Sequence, residues 1–275
     1  MSDGADVETD RQLVQLLDAV FHRYHYDFRS YAPASLKRRV VAALPHFRCA
    51  DIAALAERLA TDPRLFSDLL RYLTVQVSDF FRDPSYFLAV REKVVPYLQT
   101  YPSLKLWVAG CATGEEAYSL AILLQEEGLL DRTLIYATDI NPESLRDAEA
   151  GIFDVDRFVR FSENYQRAGG RASLSDYYTA RYSSAMLDRR LRKSILFSDH
   201  SLATDSAFAE VQLVSCRNVL IYFDRGLQER ALGVLKDSIC HRGFLGLGSR
   251  ESLRFSIHAP LFREAVAAER LYQRL

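Results

Sequence analysis

The sequence predicts an α/β fold: a parallel, doubly wound sheet, preceded by a helical domain and interrupted by a small inserted β-subdomain. Three observations carry this. Over about the first 80 residues, apolar side chains recur at helical spacing. From about residue 100, short apolar runs alternate with helical stretches, the pattern of parallel strands joined by crossover helices. Between about Ile152 and Ile195 the alternation stops for longer than a plain connection needs. The expected units are therefore a helical domain over 1–78 and an α/β domain over 79–275, with 152–195 inserted in it.

Each element has its own signal. Thr9-Asp10-Arg11-Gln12 has the form of a capping box at a helix start. Leu13, Leu16, Leu17, Val20, Phe21 and Tyr24 follow at helical spacing. A second helix is expected over 33–43, stopped by Pro45, a third over 51–59, and a fourth from Asp62-Pro63, where proline suits a first turn. Leu104–Val108 reads as a strand, and the turn Ala109–Gly114 leads into a helix over 115–127. A second strand covers Thr133–Ala137, and Pro142 opens a helix to about Ala150. Val211–Cys216 reads as a buried strand and 227–239 as a helix, with strands at 244–247 and 270–275. Within the insert, Gly169-Gly170 and the run Tyr177–Tyr182 suggest a hairpin.

The composition is that of an ordinary soluble, folded protein, 49% hydrophobic and 26% charged. Its 275 residues allow one large domain or two smaller ones. With 35 basic and 36 acidic side chains the net charge is −1, without the basic excess of a general nucleic-acid binder. No apolar run approaches the roughly 18–20 residues that span a bilayer, and the acidic N-terminus is unlike a signal peptide. Cys49, Cys111, Cys216 and Cys240 lie far apart and the six histidines show no ligand spacing, so neither a disulfide nor a metal is expected. The expectation is a cytoplasmic monomer with reduced thiols.

Ligands of open α/β sheets bind at the carboxyl ends of strands, and unusual chemistry stands at three such ends. At the first, Gly110-Cys111-Ala112-Thr113-Gly114 lets backbone approach a ligand, and Glu115-Glu116 follow at once. Two acids there repel a diphosphate and attract an amino or sulfonium cation, although acids at a helix N-terminus are also favourable in their own right. At the second, Asp139 can accept hydrogen bonds from ribose hydroxyls, or cap the next helix. At the third, Arg217-Asn218 can orient a carboxylate, with Tyr222 and Phe223 as an aromatic wall and Asp224 as a helix cap. Just before the α/β domain, one of Phe80 and Phe81 is expected in the core and the other along a cleft, with Arg82 beside it.

Taken together, Ser78–Asp83, Gly110–Ser119, Ala137–Ile140, Cys216–Asp224 and Gly248–Ser252 resemble, in order, the motifs of the chemotaxis-receptor glutamate O-methyltransferases, the CheR type. The resemblance runs from about residue 10 to the C-terminus. It implies a class I S-adenosylmethionine-dependent methyltransferase domain, a helical N-terminal domain and an inserted β-subdomain. It implies S-adenosylmethionine as methyl donor, S-adenosylhomocysteine as product, and receptor glutamates converted to γ-methyl esters. The matching positions put Gln76, Ser78, Arg82 and Gly110 at the cofactor. They put Glu115 at its amino group, Asp139 at the ribose, Ser201-Leu202 near the adenine, and Arg217 and Asn218 at further cofactor contacts. Tyr222 falls close to the methyl group, and Arg82 and Tyr222 are the expected catalytic pair. The sequence departs from the family pattern at Gln76, Ser78 and Ser201, where Asn, Thr and Asn are frequent. It departs again at Gly248-Ser249-Arg250-Glu251, where the usual histidine is missing.

The chemistry agrees with the absence of a Ser-His-Asp or Cys-His set. A glutamate carboxylate is ionised near pH 7 and needs no strong base, so positioning and exclusion of water are the main requirements. Lys37-Arg38-Arg39 can offer a basic face to acidic receptor helices. Some members of the family use the insert to tether a receptor tail by strand addition. Other readings are a methyltransferase of the same fold acting on another carboxylate or a small molecule, a non-catalytic sensor of S-adenosylmethionine, and an NAD-dependent oxidoreductase. The last lacks its Gly-x-Gly-x-x-Gly.

Overall fold

The computed structural model describes residues 2–275. Four helices come first: α1 (Ser2–Tyr24), α2 (Pro33–Phe47), α3 (Ile52–Thr61) and α4 (Leu65–Leu73). Asp51 caps α3 by accepting from the Ala54 N–H. Three sequence expectations change here. Helix α1 already starts at Ser2, so Thr9–Gln12 is helix interior, and Gln12 donates to Glu8 one turn back. Pro45 lies inside the last turn of α2, which closes only at Arg48 in a left-handed conformation (φ 51°). Helix α4 begins at Leu65, after Asp62-Pro63 rather than on them.

Helices α5 (Pro84–Ala89) and α6 (Val95–Leu98), joined by a π-turn over Val90–Val94, lead into the α/β part. It contains β1 (Leu104–Ala109), α7 (Glu115–Glu126), β2 (Thr133–Asp139), α8 (Pro142–Ala150), β6 (Ile195–Asp199), β7 (Val211–Cys216), α11 (Arg225–Ser238), β8 (Ile239–Leu247), β9 (Phe262–Val266) and β10 (Leu271–Arg274). The seven strands run β6-β2-β1-β7-β8-β10-β9. Pairing is parallel from β6 to β8, and β10 is antiparallel to both its neighbours. The order reverses between β1 and β7, so the ends of these two strands form the switch-point crevice.

Alternation along the strands builds two cores. Leu104, Leu106 and Val108 of β1 face a cluster with α5, α7 and the insert, whereas Trp107 and Ala109 face the other side. That second cluster holds α11 and, contiguous with it, the buried residues of α1–α4. The helical domain therefore shares a core with one side of the sheet. Backbone bonds fasten it there: Ala32 N–H to Tyr222 O at 2.8 Å and Asp224 N–H to Ser30 O at 2.9 Å, with Tyr31 bridged to Phe223.

The region 152–195 contains β3 (Ile152–Asp154), α9 (Phe158–Arg167), β4 (Tyr178–Arg181), β5 (Ser184–Leu187) and α10 (Arg189–Lys193). Its strands form an antiparallel sheet in the order β3-β5-β4. The approach to the α/β part turns at 80–83, and the expected split of Phe80 and Phe81 between core and cleft does not occur. Phe81 takes a left-handed φ of 51°, which turns both Phe80 and Phe81 into the same core. The Phe81 N–H bonds the Ser119 hydroxyl at 2.9 Å. Neither phenylalanine lines a cleft.

Candidate functional site

A cleft of about 900 Å³, counting its open mouth, lies over the ends of β1, β2 and β7. Residues of α2, of the 73–82 connection and of the loops after these strands line it together. That size suits a small-molecule or cofactor site.

The turn after β1 forms its floor. Gly110 has φ +74°, and a β-carbon there would stand 2.4 Å from Val219 Cγ2, so glycine is required where the loops after β1 and β7 meet. Of the two acids that follow, Glu116 lines the cleft and Glu115 does not. Successive helix residues point about 100° apart, so only one can face it. Glu115 is fully buried behind the turn, where it accepts the Thr113 hydroxyl at 2.7 Å and pairs with Arg157 at 3.0 Å. Burial pushes its carboxyl pKa up, opposed by Thr113 and Arg157. Glu116 accepts from Ser215 Oγ at 2.6 Å and from Arg217 at 3.0 Å.

Asp139 ends β2 at the cleft wall and is almost wholly buried. Its Oδ2 accepts from the Ala112 N–H at 2.9 Å and its Oδ1 from the Asn141 N–H at 3.0 Å. Each oxygen keeps a further lone pair. Burial raises its pKa, and the backbone donors of Asn141, Ala112 and Ile140 work against that rise. The cap of α8 is Asn141, not Asp139.

After β7, the Arg217 guanidinium is buried against the Tyr86 ring (4.2 Å) and pairs with Glu116 and with Asp83 at 2.7 Å. Asn218 is left-handed (φ 61°), and its N–H is held by Glu251 Oε2 at 3.0 Å. Glu251 also receives the N–H groups of Gly248 and Ile221, so it ties the loop after β8 to the one after β7. Its role had no sequence signal beyond its place in the motif. Tyr222 and Phe223 do line the cleft, and Asp224 does cap α11, accepting from the Leu227 N–H.

The basic trio separates, because three consecutive helix positions point three ways. Lys37 pairs with Asp6 at 2.5 Å and Asp10 at 2.7 Å on α1, and Arg38 is exposed. Arg39 enters the cleft, donates to Leu73 O and lies over the Tyr222 ring. The trio does not share one face: Arg39 and Glu116, which the sequence offers only as members of a basic trio and an acidic pair, line the cleft, together with Tyr31 and His200, which it does not single out. Gln76, Ser78, Arg82, Gly110, Leu202, Arg217 and Asn218 line the cleft. Ser201 does not: its Oγ accepts the Ala203 N–H and its own N–H bonds Asp205, while the neighbouring His200 takes the wall.

Four buried side-chain atoms of lining residues, Arg39 Nη2, Gln76 Oε1, His200 Nδ1 and Arg217 Nε, find no hydrogen-bond partner among the described residues. Such orphans are costly unless a ligand or water meets them. Donors and acceptors around an acidic wall fit a polar ligand that carries hydroxyl groups and a cationic centre. No group of three or more metal-ligating side chains is found among the described residues.

Residues 76–265 match the model of the CheR methyltransferase SAM-binding domain, and residues 11–74 that of the CheR methyltransferase all-alpha domain. The chain belongs to the CheR methyltransferase family. It is 55% identical over 266 residues to a Pseudomonas putida protein that bears the name methyltransferase Cher3, covering 97% of each. It is 28% identical to a chemotaxis protein methyltransferase of Listeria innocua (82% of this chain, 84% of the relative) and 29% identical to one of Vibrio cholerae (66% of each). This CheR-family chain is thus an S-adenosylmethionine-dependent methyltransferase by kinship, and its SAM-binding match covers the strand ends that line the cleft. Among the described residues no helix is long and apolar enough to cross a membrane.

Proposed function

We propose that the chain methylates glutamate side chains on the helical signalling domain of a methyl-accepting receptor, forming γ-methyl esters. The observation that carries this is the meeting, in one cleft, of an acidic wall at Asp139 with the Arg39 guanidinium beside Tyr222. One side suits a cation, the other a carboxylate.

S-adenosylmethionine, when bound, supplies an electrophilic methyl group on a sulfonium sulfur. Asp139 has the spare acceptor capacity for ribose hydroxyls. Glu116, which faces the cleft, is the acid for the amino group in place of Glu115. Gln76, Ser78, Gly110, Arg217 and Asn218 complete the walls, and Leu202 with His200 bounds the far end in place of Ser201. Arg39 and Arg82 steer the substrate carboxylate, and Tyr222 packs against its approach. Arg39 keeps one donor atom without a partner, which suits a carboxylate oxygen. The carboxylate attacks as it stands, so the enzyme supplies orientation and a dry site rather than a base.

The same reading divides the chain near residue 78 into a helical cap and a catalytic domain with 152–195 as its insert, acting as a cytoplasmic monomer. Transfer of labelled methyl to receptor signalling domains, followed by mild base, tests it. Label released as methanol is the expected result. Label that resists base assigns another acceptor atom, and cofactor binding without transfer assigns a sensor.

A further inference from the structure

The connection Ser78–Arg82 forms part of the cleft wall through Ser78 and Arg82, and the insert grips it at three successive residues. Arg157, in the turn before α9, donates to the Ser78 carbonyl and lies 3.5 Å from Asp79 Oδ1. Arg160 pairs with Asp79 Oδ2 at 2.9 Å, and Asn164 Nδ2 donates to Phe80 O at 3.1 Å. The same Arg157 Nη2 stands 3.0 Å from Glu115 Oε1, at the first residue of α7 and directly behind the Gly110–Gly114 turn. One guanidinium thus joins the insert, the cleft wall and the floor turn. Glu115 is wholly buried, and a buried carboxylate needs a paired cation to stay charged.

We infer that Arg157 is a positioning residue: seated on Ser78, Asp79 and Glu115, it holds the wall and floor of the cleft in register, so that the cleft's affinity for its cofactor depends on the insert being in place. This rests on the cleft being the S-adenosylmethionine site. It gives Glu115 a role as anchor of the insert, and gives the insert a role in the cofactor site as well as any part it plays in docking.

The experiment compares the full-length protein with Arg157→Ala, Arg157→Lys and Arg160→Ala. Calorimetric titration with S-adenosylhomocysteine, hydrogen exchange of the 76–83 segment and thermal unfolding are read on each. Arg157→Ala is expected to raise the Kd roughly tenfold, the effect of about one lost charge-assisted bond. Exchange should rise in 76–83 well beyond any general change, and the KM for cofactor should rise more than kcat falls. Arg157→Lys keeps the charge but not the fork and should fall between. Arg160→Ala, which loses only an exposed pair to Asp79, should change Kd about twofold or less. If Arg157→Ala does not fold, the Arg157→Lys and Arg160→Ala pair carries the comparison. Wild-type affinity in Arg157→Ala, or in Arg157→Lys where that variant stands in, overturns the proposal. So does a loss of affinity that only tracks melting temperature with uniform exchange. If the wild-type protein itself binds no S-adenosylhomocysteine, the cofactor reading fails first and this proposal falls with it.

Discussion

The guanidinium of Arg39 lies 5.3 Å from the ring centre of Tyr222, although one belongs to the second helix and the other follows the seventh strand. The helical domain is therefore part of the site and not merely a neighbour of it. Burial lowers the Arg39 pKa, with the nearby Tyr222 and Tyr31 opposing, and Leu73 O takes one of its donors. Arg39→Ala should cut kcat/KM for a protein substrate by roughly 10- to 100-fold, the weight of one charge-assisted contact, while S-adenosylhomocysteine affinity moves less. Arg39→Lys should recover only part, because the planar fork is lost. Steady-state transfer assays beside calorimetry separate the two effects.

Asp139 holds two backbone N–H groups and faces the cleft with the lone pairs that remain. Asp139→Ala should weaken S-adenosylhomocysteine binding by about 1–3 kcal/mol, since it removes acceptors and also leaves the Ala112 and Asn141 donors unmet. Titration calorimetry measures this directly. An unchanged Kd would take Asp139 out of the ribose assignment.

Much of the frame was readable in the chain because strand and helix periods there are clean. The strand at Val211–Cys216 and the helix from Pro142 to Ala150 match their expected bounds, the helix set between the Asn141 cap with Pro142 and the left-handed Gly151. Pro84–Leu98 carries no clean helical signal because a π-turn in its middle breaks the 3.6-residue period. The strand Ile195–Asp199 was hidden at the end of the insert, where its half-exposed residues carry no alternation. The site was readable as motifs but not as directions. Which of Glu115 and Glu116 faces the ligand, and which of Lys37, Arg38 and Arg39, depends on helix rotation relative to partners far away in sequence. Phe80 and Phe81 share a core only because the backbone at Phe81 is left-handed.

Glu251 offers a pH test. Burial raises its pKa above the usual carboxylate value, with the N–H groups of Gly248, Asn218, Ile221 and Leu220 opposing. A carboxyl whose pKa is higher folded than unfolded binds more protons in the native state across that interval. Its contribution to stability is then full below the unfolded pKa, near 4, and declines as pH rises through the folded value. The stability of the wild-type protein relative to Glu251→Gln should therefore be greatest at the acid end of a urea-unfolding series and shrink toward neutrality. A difference independent of pH would mean that Glu251 titrates alike in both states.

Gly110 is the most demanding backbone position of the cleft. Alanine there must adopt φ +74° and place its β-carbon 2.4 Å from Val219 Cγ2, far inside contact distance. The left-handed conformation costs roughly 1 kcal/mol and overpacking about 1–3 more, so Gly110→Ala should lose on the order of 2–4 kcal/mol of stability. Relief needs the Val219 side chain to leave its rotamer or the loop after β7, which carries Asn218 and Val219 into the cleft wall, to move. Cofactor affinity should therefore fall together with stability. Val219→Ala, which removes the opposing methyl groups, should restore part of both in the double variant. Chemical denaturation and calorimetry on the two single variants and the double one measure that coupling. Strict additivity would show that the clash is not what makes glycine necessary.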